Sequence, residues 1–410
     1  ARVLAVFALL HVVQPAPELW LPSLFSTTGQ ADRHAEHRTD GAPLADHLPC
    51  DSNPPRHDYS FMDVVIVMVA PVCTTRSVVE RLSYHYNFRR IYFIVKSEEF
   101  CPHLRSLGGG GASEVLCVDE NHVLPGVTYS SLLERSEGLR RHQGGSNRVG
   151  WYLQQYLKLG VALHIEDLSD HYLVWDADNI PTRALELFTP EGKVRFCANP
   201  VSWKSTGYAR FYERTTGMPL LKPGGFPANP RDNSFNYVCG YMVMYRPYVR
   251  ELLRAFSAHL AASEGLREGF PWDLHAVGNS AIEEGYFFSE YDSYGAWVQK
   301  YHADTHEVDF SVTYVRNPEV SIAPAGSSAK PAASGGKKKK GAAALPAKFP
   351  CCLSPKRICA LARAGGTSAS HILIWEEHKM RYRDDDQCND PLPPDLQRAI
   401  RAVGDGTKPA

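Results

Sequence analysis

Two carboxylates two residues apart, Asp176 and Asp178, close the apolar run His171-Tyr-Leu-Val-Trp175 and lead straight into Asn179-Ile-Pro181. Side chains alternate along an extended chain, so an Asp-x-Asp pair in that conformation presents both carboxylates on one side of the backbone. Hard oxygen donors at the end of a buried strand suit Mg²⁺ or Mn²⁺, above all where the cation must also grip a substrate diphosphate. Asp-rich turns after strands are common, and what singles this pair out is the apolar strand before it and the Asn-Ile-Pro turn, ended by Pro181, after it. The same spacing recurs at Glu290 and Asp292 within Ser289-Glu-Tyr-Asp-Ser-Tyr-Gly295.

The elements that must position these residues read as alternating strands and helices. Asp63–Ala70, Arg90–Val95 and Glu114–Val118 are short β-branched apolar runs, with a helix predicted at Ser77–Ser83, where Ser77 and Glu80 have capping-box spacing. Trp151 to about Leu163 has the apolar spacing of a core-facing helix, and Tyr237–Tyr245 and Pro247–Leu260 read as a further strand and helix. Buried strands separated by helices predict an α/β fold with a mainly parallel sheet covered on both faces. The glycines at 108–111 lack the lysine and hydroxyl of a phosphate loop and read as a plain turn.

Lys and Arg total 44 against 45 Asp and Glu, a net charge of −1, so nothing marks a nucleic-acid binder, and 44% hydrophobic residues exclude wholesale disorder. Ten cysteines are too few for a disulfide scaffold. Cys351, Cys352 and Cys359 lack zinc-finger spacing and read as buried thiols or one disulfide. Val3–Val13 is apolar except for His11 and is followed by a Pro- and His-rich stretch to about Asp58; a signal-anchor with a stem and a short buried helix are both open readings. Residues 59–322 form the expected main domain. Ala323–Lys348, with Lys337–Lys340, reads as a disordered linker, and 351–410 as an extension with a strand at His371–Trp375 and a helix at Asp395–Val403.

The segments "GWYLQQYLKL", "YLVWDADNIPTR" and "FFSEYDSYGAWV" resemble those of an A-type-fold, nucleotide-diphospho-sugar transferase (glycosyltransferase-like) family of largely unassigned function from bacteria and algae, over about Asp63–Asp304. The resemblance implies a Rossmann-like, mainly parallel sheet and a metal-dependent glycosyltransferase that moves a sugar from a UDP- or GDP-sugar to a hydroxyl of a glycan or protein acceptor. It implies Mn²⁺ or Mg²⁺ at Asp176 and Asp178, completed by a histidine for which His302, His371 and His378 are candidates. Val69–Arg76, with Thr74 and Arg76, would lie under the nucleoside; simple turn hydrogen bonds at Thr74 and Thr75 are the other reading. Gln154, Gln155 and Lys158 would face the donor, Lys158 as a point charge on phosphate or, alternatively, on a solvated helix face.

In an inverting reaction Glu290, or else Asp292, would deprotonate the acceptor hydroxyl. Trp203–Pro230, rich in Gly, Pro and aromatics, would form an acceptor loop or lid. With an N-terminal anchor, the implied setting is a Golgi membrane with the catalytic domain in the lumen. Two alternatives stand beside this reading: a non-catalytic glycan- or nucleotide-sugar-binding relative, and a nucleotidyltransferase, which would want glycines in the loop after the first strand that Val69–Arg76 lacks.

Overall fold

The computed structural model describes residues 56–71, 74–108, 113–140, 148–200, 206–224, 235–281 and 287–316, with short pieces at 349–350, 358, 371–374 and 382–383. The N-terminal apolar run, the stem up to residue 55, the linker, Cys351, Cys352, Cys359, His378 and the helix expected at Asp395–Val403 lie outside the described residues, and the last residues expected as stem, His57 and Asp58, open the first strand.

The central sheet has the order β3-β2-β1-β4-β9, from strands β1 His57–Met68, β2 Tyr86–Val95, β3 Glu114–Asp119, β4 His171–Trp175 and β9 Tyr241–Tyr245. Four strands are parallel and β9 runs antiparallel to β4 at the edge. Met62–Met68 is buried without a break, so side chains on both faces of β1 are covered, as its continuous apolar run predicts. Smaller pairings involve β5 Asn179–Pro181, β6 Val194–Cys197, β7 Asn199–Pro200, β8 Phe235–Asn236, β10 His306–Asp309, β11 Tyr314–Arg316, β12 Phe349–Pro350, β13 Ile372–Ile374 and β14 Tyr382–Arg383.

The helices are α1 Thr75–His85, α2 Cys101–Ser106, α3 Glu120–Val123, α4 Tyr129–Glu134, α5 Glu137–Arg140, α6 Val149–His164, α7 Thr206–Thr216, α8 Arg246–Ser263, α9 Trp272–Ala281 and α10 Glu290–Tyr301. The α/β class and the mainly parallel sheet are therefore as the sequence predicts. Four local expectations are corrected. α1 starts at Thr75 rather than Ser77, and Glu80 pairs with Arg76 at 3.9 Å instead of closing a capping box. The strand expected over Tyr237–Tyr245 begins only at Tyr241, because Gly240 takes a φ of +76° that breaks the extended run. Helix α7 occupies part of the stretch expected to be a loop at Trp203–Pro230. Asn179–Pro181, expected as a turn, is a strand, paired antiparallel with Ile372–Ile374.

Buried polar groups fix how β4 and β5 sit. Asp63, fully buried in β1, accepts from the Ser169 amide at 2.8 Å and is clamped by Arg89, tying β1 to the loop that feeds β4. Arg81 of α1 donates to the carbonyls of Pro181 and Thr182 at 3.1 and 2.9 Å, which anchors the chain just beyond Asp178. All four described cysteines are paired, Cys101 with Cys117 and Cys197 with Cys239.

Candidate functional site

Strand order locates the crevice. The chain adds β2 and β3 on one side of β1, then returns to place β4 on the other, so the topological switch point lies between the carboxyl ends of β1 and β4, where open α/β sheets bind ligands. Asp176 is the first residue beyond β4. At the end of β1, Val69 is 60% exposed, a large apolar side chain left uncovered beside that crevice. Thr74 and Thr75, by contrast, are buried where α1 begins, and Arg76 lies on the helix surface beside Glu80. The structure thus turns Arg76 to the outer face of α1, because a residue one step along the helix from buried Thr75 points about 100° away.

Asp176–Asp178 is a turn, not the extended pair expected. The Asp176 amide donates to the Gly240 carbonyl at 2.8 Å, and the Asp176 carbonyl accepts from the Asn179 amide at 3.0 Å. The Asn179 side chain donates to the same Gly240 carbonyl at 3.0 Å, which holds the turn against the start of β9. Both carboxylates remain partly exposed.

Lys158 gathers the site. It lies on α6, a helix buried nearly all round, and its side chain is only 3% exposed, so the solvated-face reading is corrected. Its ammonium donates to Asp176 Oδ1 at 2.5 Å, to Glu290 Oε1 at 2.7 Å and to the Tyr291 hydroxyl at 3.3 Å. The Tyr291 hydroxyl in turn donates to Asp176 Oδ1 at 2.7 Å, and its ring lies 4.6 Å below the ammonium. Burial disfavours the ammonium, but the Asp176 and Glu290 carboxylates outweigh it and hold its pKa above the usual lysine range. Burial pushes the Glu290 carboxyl up, against the pull of Lys158. Gln155 accepts from the Glu290 amide at 3.2 Å and so fixes where α10 starts.

Glu290 and Asp292 are not an extended pair either. They sit in the first turn of α10, where residues two apart point to different sides. The Ser289 hydroxyl caps this helix by accepting from the Asp292 amide at 3.1 Å. Asp292 is 1% exposed; Oδ1 accepts from the Tyr237 amide at 2.8 Å, and among the described residues Oδ2 has no hydrogen-bond partner. Burial raises its pKa to about 7. Glu290 is thus held by Lys158 and closed off from solvent.

The structure brings neither described histidine to the carboxylates. His302 follows the last turn of α10, about 18 Å of helix from Glu290, stacks on Tyr248 and hydrogen-bonds Glu251 at 2.8 Å. His371 precedes β13, its carbonyl accepting from the Thr182 amide at 2.9 Å, and its Nδ1 lies 3.0 Å from the Thr313 hydroxyl. That places it four residues along the strand from Asp178, about 13 Å. Among the described residues no three His, Cys, Asp or Glu side chains converge as a metal site.

Tyr291, Asn179 and Gly240 complete the site, and none was singled out from the sequence. A signal existed for the α10 start: Ser289 and Asp292 have the S-x-x-D spacing of a helix N-terminus. Nothing local foretells that Gly240 meets Asp176.

No protein-family model matches the sequence, and no curated protein matches it. Among solved structures the chain is similar to mouse xyloside xylosyltransferase 1 in its apo form, at 14% identity and a TM-score of 0.31, covering 57% of this chain and 84% of that one. It is also similar to the galactosyltransferase LgtC in complex with donor and acceptor sugar analogues, at 11% identity and a TM-score of 0.34, covering 85% and 98%. An active-site mutant of LgtC gives 12% identity and a TM-score of 0.32 over the same shares.

Proposed function

We propose that the chain is a glycosyltransferase of A-type fold that takes a nucleotide-diphospho-sugar as donor and a hydroxyl as acceptor. The observation that carries this is the placement of Asp176 and Asp178 in one turn at the switch-point crevice, with buried Lys158 2.5 Å from Asp176. Exposed Val69 at the end of β1 offers an apolar surface for a nucleobase in the same crevice. The transfer breaks the bond between the anomeric carbon and the diphosphate and makes one to the acceptor oxygen. The acceptor proton is lost and the nucleoside diphosphate leaves.

The donor set fits Mg²⁺ or Mn²⁺ held by Asp178 and by the Asp176 oxygen that Lys158 does not use, with substrate phosphates filling the shell, as is usual for these cations. Bound there, the cation would supply Lewis-acid charge neutralisation at the leaving diphosphate. Lys158 and Tyr291 fix the orientation of Asp176 before any ligand arrives, so the crevice needs little reorganisation. The two described disulfides fit an oxidising compartment. Among the described residues no helix is long and apolar enough to cross a membrane.

One observation favours a second reading, a binder without turnover: Glu290 and Asp292 both have structural partners, Lys158 and the Tyr237 amide, that account for them without catalysis. The test is calorimetry with UDP- and GDP-sugars, with and without Mn²⁺, coupled to release of nucleoside diphosphate in the presence of glycan acceptors. Metal-dependent binding lost in Asp178→Asn, with release, supports the transferase. Binding without release under any acceptor supports the binder, and no binding by folded protein refutes both.

A further inference from the structure

Four consecutive residues, Tyr237 to Gly240, are each fastened to a different part of the molecule. The Tyr237 amide donates to Asp292 at 2.8 Å. The Val238 carbonyl accepts from the Asn199 side chain at 2.7 Å. Cys239 is bonded to Cys197, which ends β6, and the Gly240 carbonyl receives both the Asp176 amide and the Asn179 side chain. The last contact is close: a Cβ on Gly240 would stand 2.0 Å from Asn179 Nδ2, and the glycine's φ of +76° is one that other residues adopt at a steric penalty. The segment therefore reaches from a covalent anchor at one end to the metal-and-donor turn at the other, with no slack between.

We propose that the Cys197–Cys239 disulfide, Gly240 and Asn179 are positioning elements for the Asp176–Asp178 turn, acting through the Gly240 carbonyl. The inference rests on the proposed function only for what the turn binds; that the strap holds the turn stands without it. A disulfide placed merely for stability would act by shortening the unfolded chain, and Cys101–Cys117 supplies that comparison, since it joins α2 to β3 and touches neither Asp176 nor Gly240.

The experiment compares full-length wild type with Cys197→Ala/Cys239→Ala and with Cys101→Ala/Cys117→Ala. Two readouts are taken at a temperature where all three are folded: hydrogen exchange of the peptide spanning 171–181, and the Kd for UDP with Mn²⁺. Loss of the Cys197–Cys239 bond is expected to speed exchange at Asp176 and Asn179 and to weaken UDP–Mn²⁺ by about tenfold, the factor that one hydrogen bond of about 1.4 kcal/mol sets. The Cys101–Cys117 variant should leave the Kd unchanged and speed exchange over 171–181 no more than over the other strands of the central sheet.

Should the Cys197–Cys239 variant not fold, Asn179→Ala takes its place. It removes one donor from the Gly240 carbonyl with both disulfides intact, and the same two changes are expected in smaller measure. Exchange over 171–181 that is unchanged, or that speeds no more than in the other strands of the central sheet, overturns the proposal. Faster exchange in a protein whose wild type never binds UDP–Mn²⁺ upholds the strap and sinks the donor reading instead.

Discussion

Replacing Lys158 with methionine removes one ammonium from between two carboxylates while keeping the length of the side chain. Its partners differ in access to water: the Asp176 side chain is 23% exposed, that of Glu290 only 5%. Asp176 can recover part of its solvation, so the loss falls mainly on Glu290. Breaking a buried ion pair by deleting one partner destabilises by about 3–5 kcal/mol. For a domain of this size that corresponds to a fall in Tm of about 6–20 °C. The pH dependence gives the sharper test. Burial already raises the Glu290 carboxyl above its ordinary pKa with Lys158 present, and removing the lysine takes away the opposing attraction. The folded variant then binds a proton that the unfolded chain, with an ordinary glutamate, releases. Stability is retained below the unfolded pKa and lost as pH rises through the raised folded one. Lys158→Met should therefore be closest to wild type below the ordinary glutamate pKa and furthest from it above the raised folded one. Denaturant titrations at several pH values measure this, and adding Glu290→Gln should recover about half the loss and most of its pH dependence. A loss under about 1 kcal/mol that is the same at every pH would refute the account of Lys158 as the buried counter-ion.

Asp292→Asn keeps shape and the contact with the Tyr237 amide. Because burial lifts this carboxyl to about 7, wild type should lose stability as pH rises from about 4 to about 7, and the variant should flatten that stretch of the profile. Arg81→Met takes a donor from each of the carbonyls of Pro181 and Thr182 and should cost about 2–4 kcal/mol by chemical denaturation, a loss under about 0.5 kcal/mol counting against the anchoring role. Removing Cys101–Cys117, with a sequence separation of 16, should destabilise by about 3 kcal/mol through loop entropy, read as a shift in denaturation midpoint. Asp176→Asn should abolish Mn²⁺-dependent UDP binding in calorimetry while the far-ultraviolet spectrum stays that of wild type; retained binding would remove Asp176 from the donor site.

The legible parts of the sequence were those whose pattern is set by neighbours within a few residues. β4 was readable to the residue, and α6 to within two, because β4 is an unbroken apolar run and α6 carries the apolar spacing of a core-facing helix. Capping spacing alone was a poor guide: Ser77 and Glu80 have it and form no cap, whereas Ser289 and Asp292 have it and start a helix. The difference is tertiary. Thr74 and Thr75 are already drawn into the core, which starts α1 earlier, while Gln155 reaches across to hold the Glu290 amide. The turn at Asp176 was illegible for the same reason. Its acceptor is Gly240, and the Asn179 contact to that carbonyl spans 61 residues that no local window joins.

Spacing two residues apart suggested that each acidic pair would project from one side of an extended chain, and in both the backbone differs. Asp176 and Asp178 lie in one turn; a helix sends Glu290 and Asp292 to different partners. The carboxylates that do converge are Asp176 and Glu290, from β4 and α10, and they converge because Lys158 lies between them. One ammonium against two carboxylates leaves a single negative charge, and Asp178 at the mouth adds a second. Two unscreened carboxylates that deep would repel each other and drive one to take a proton. With Lys158 neutralising one of them, the fold tolerates the inner charge while the outer face stays negative, as the proposed divalent cation and diphosphate would require. A lysine that reads in the sequence as a donor contact or a wet helix face is, in the structure, the buried counter-ion shared by Asp176 and Glu290.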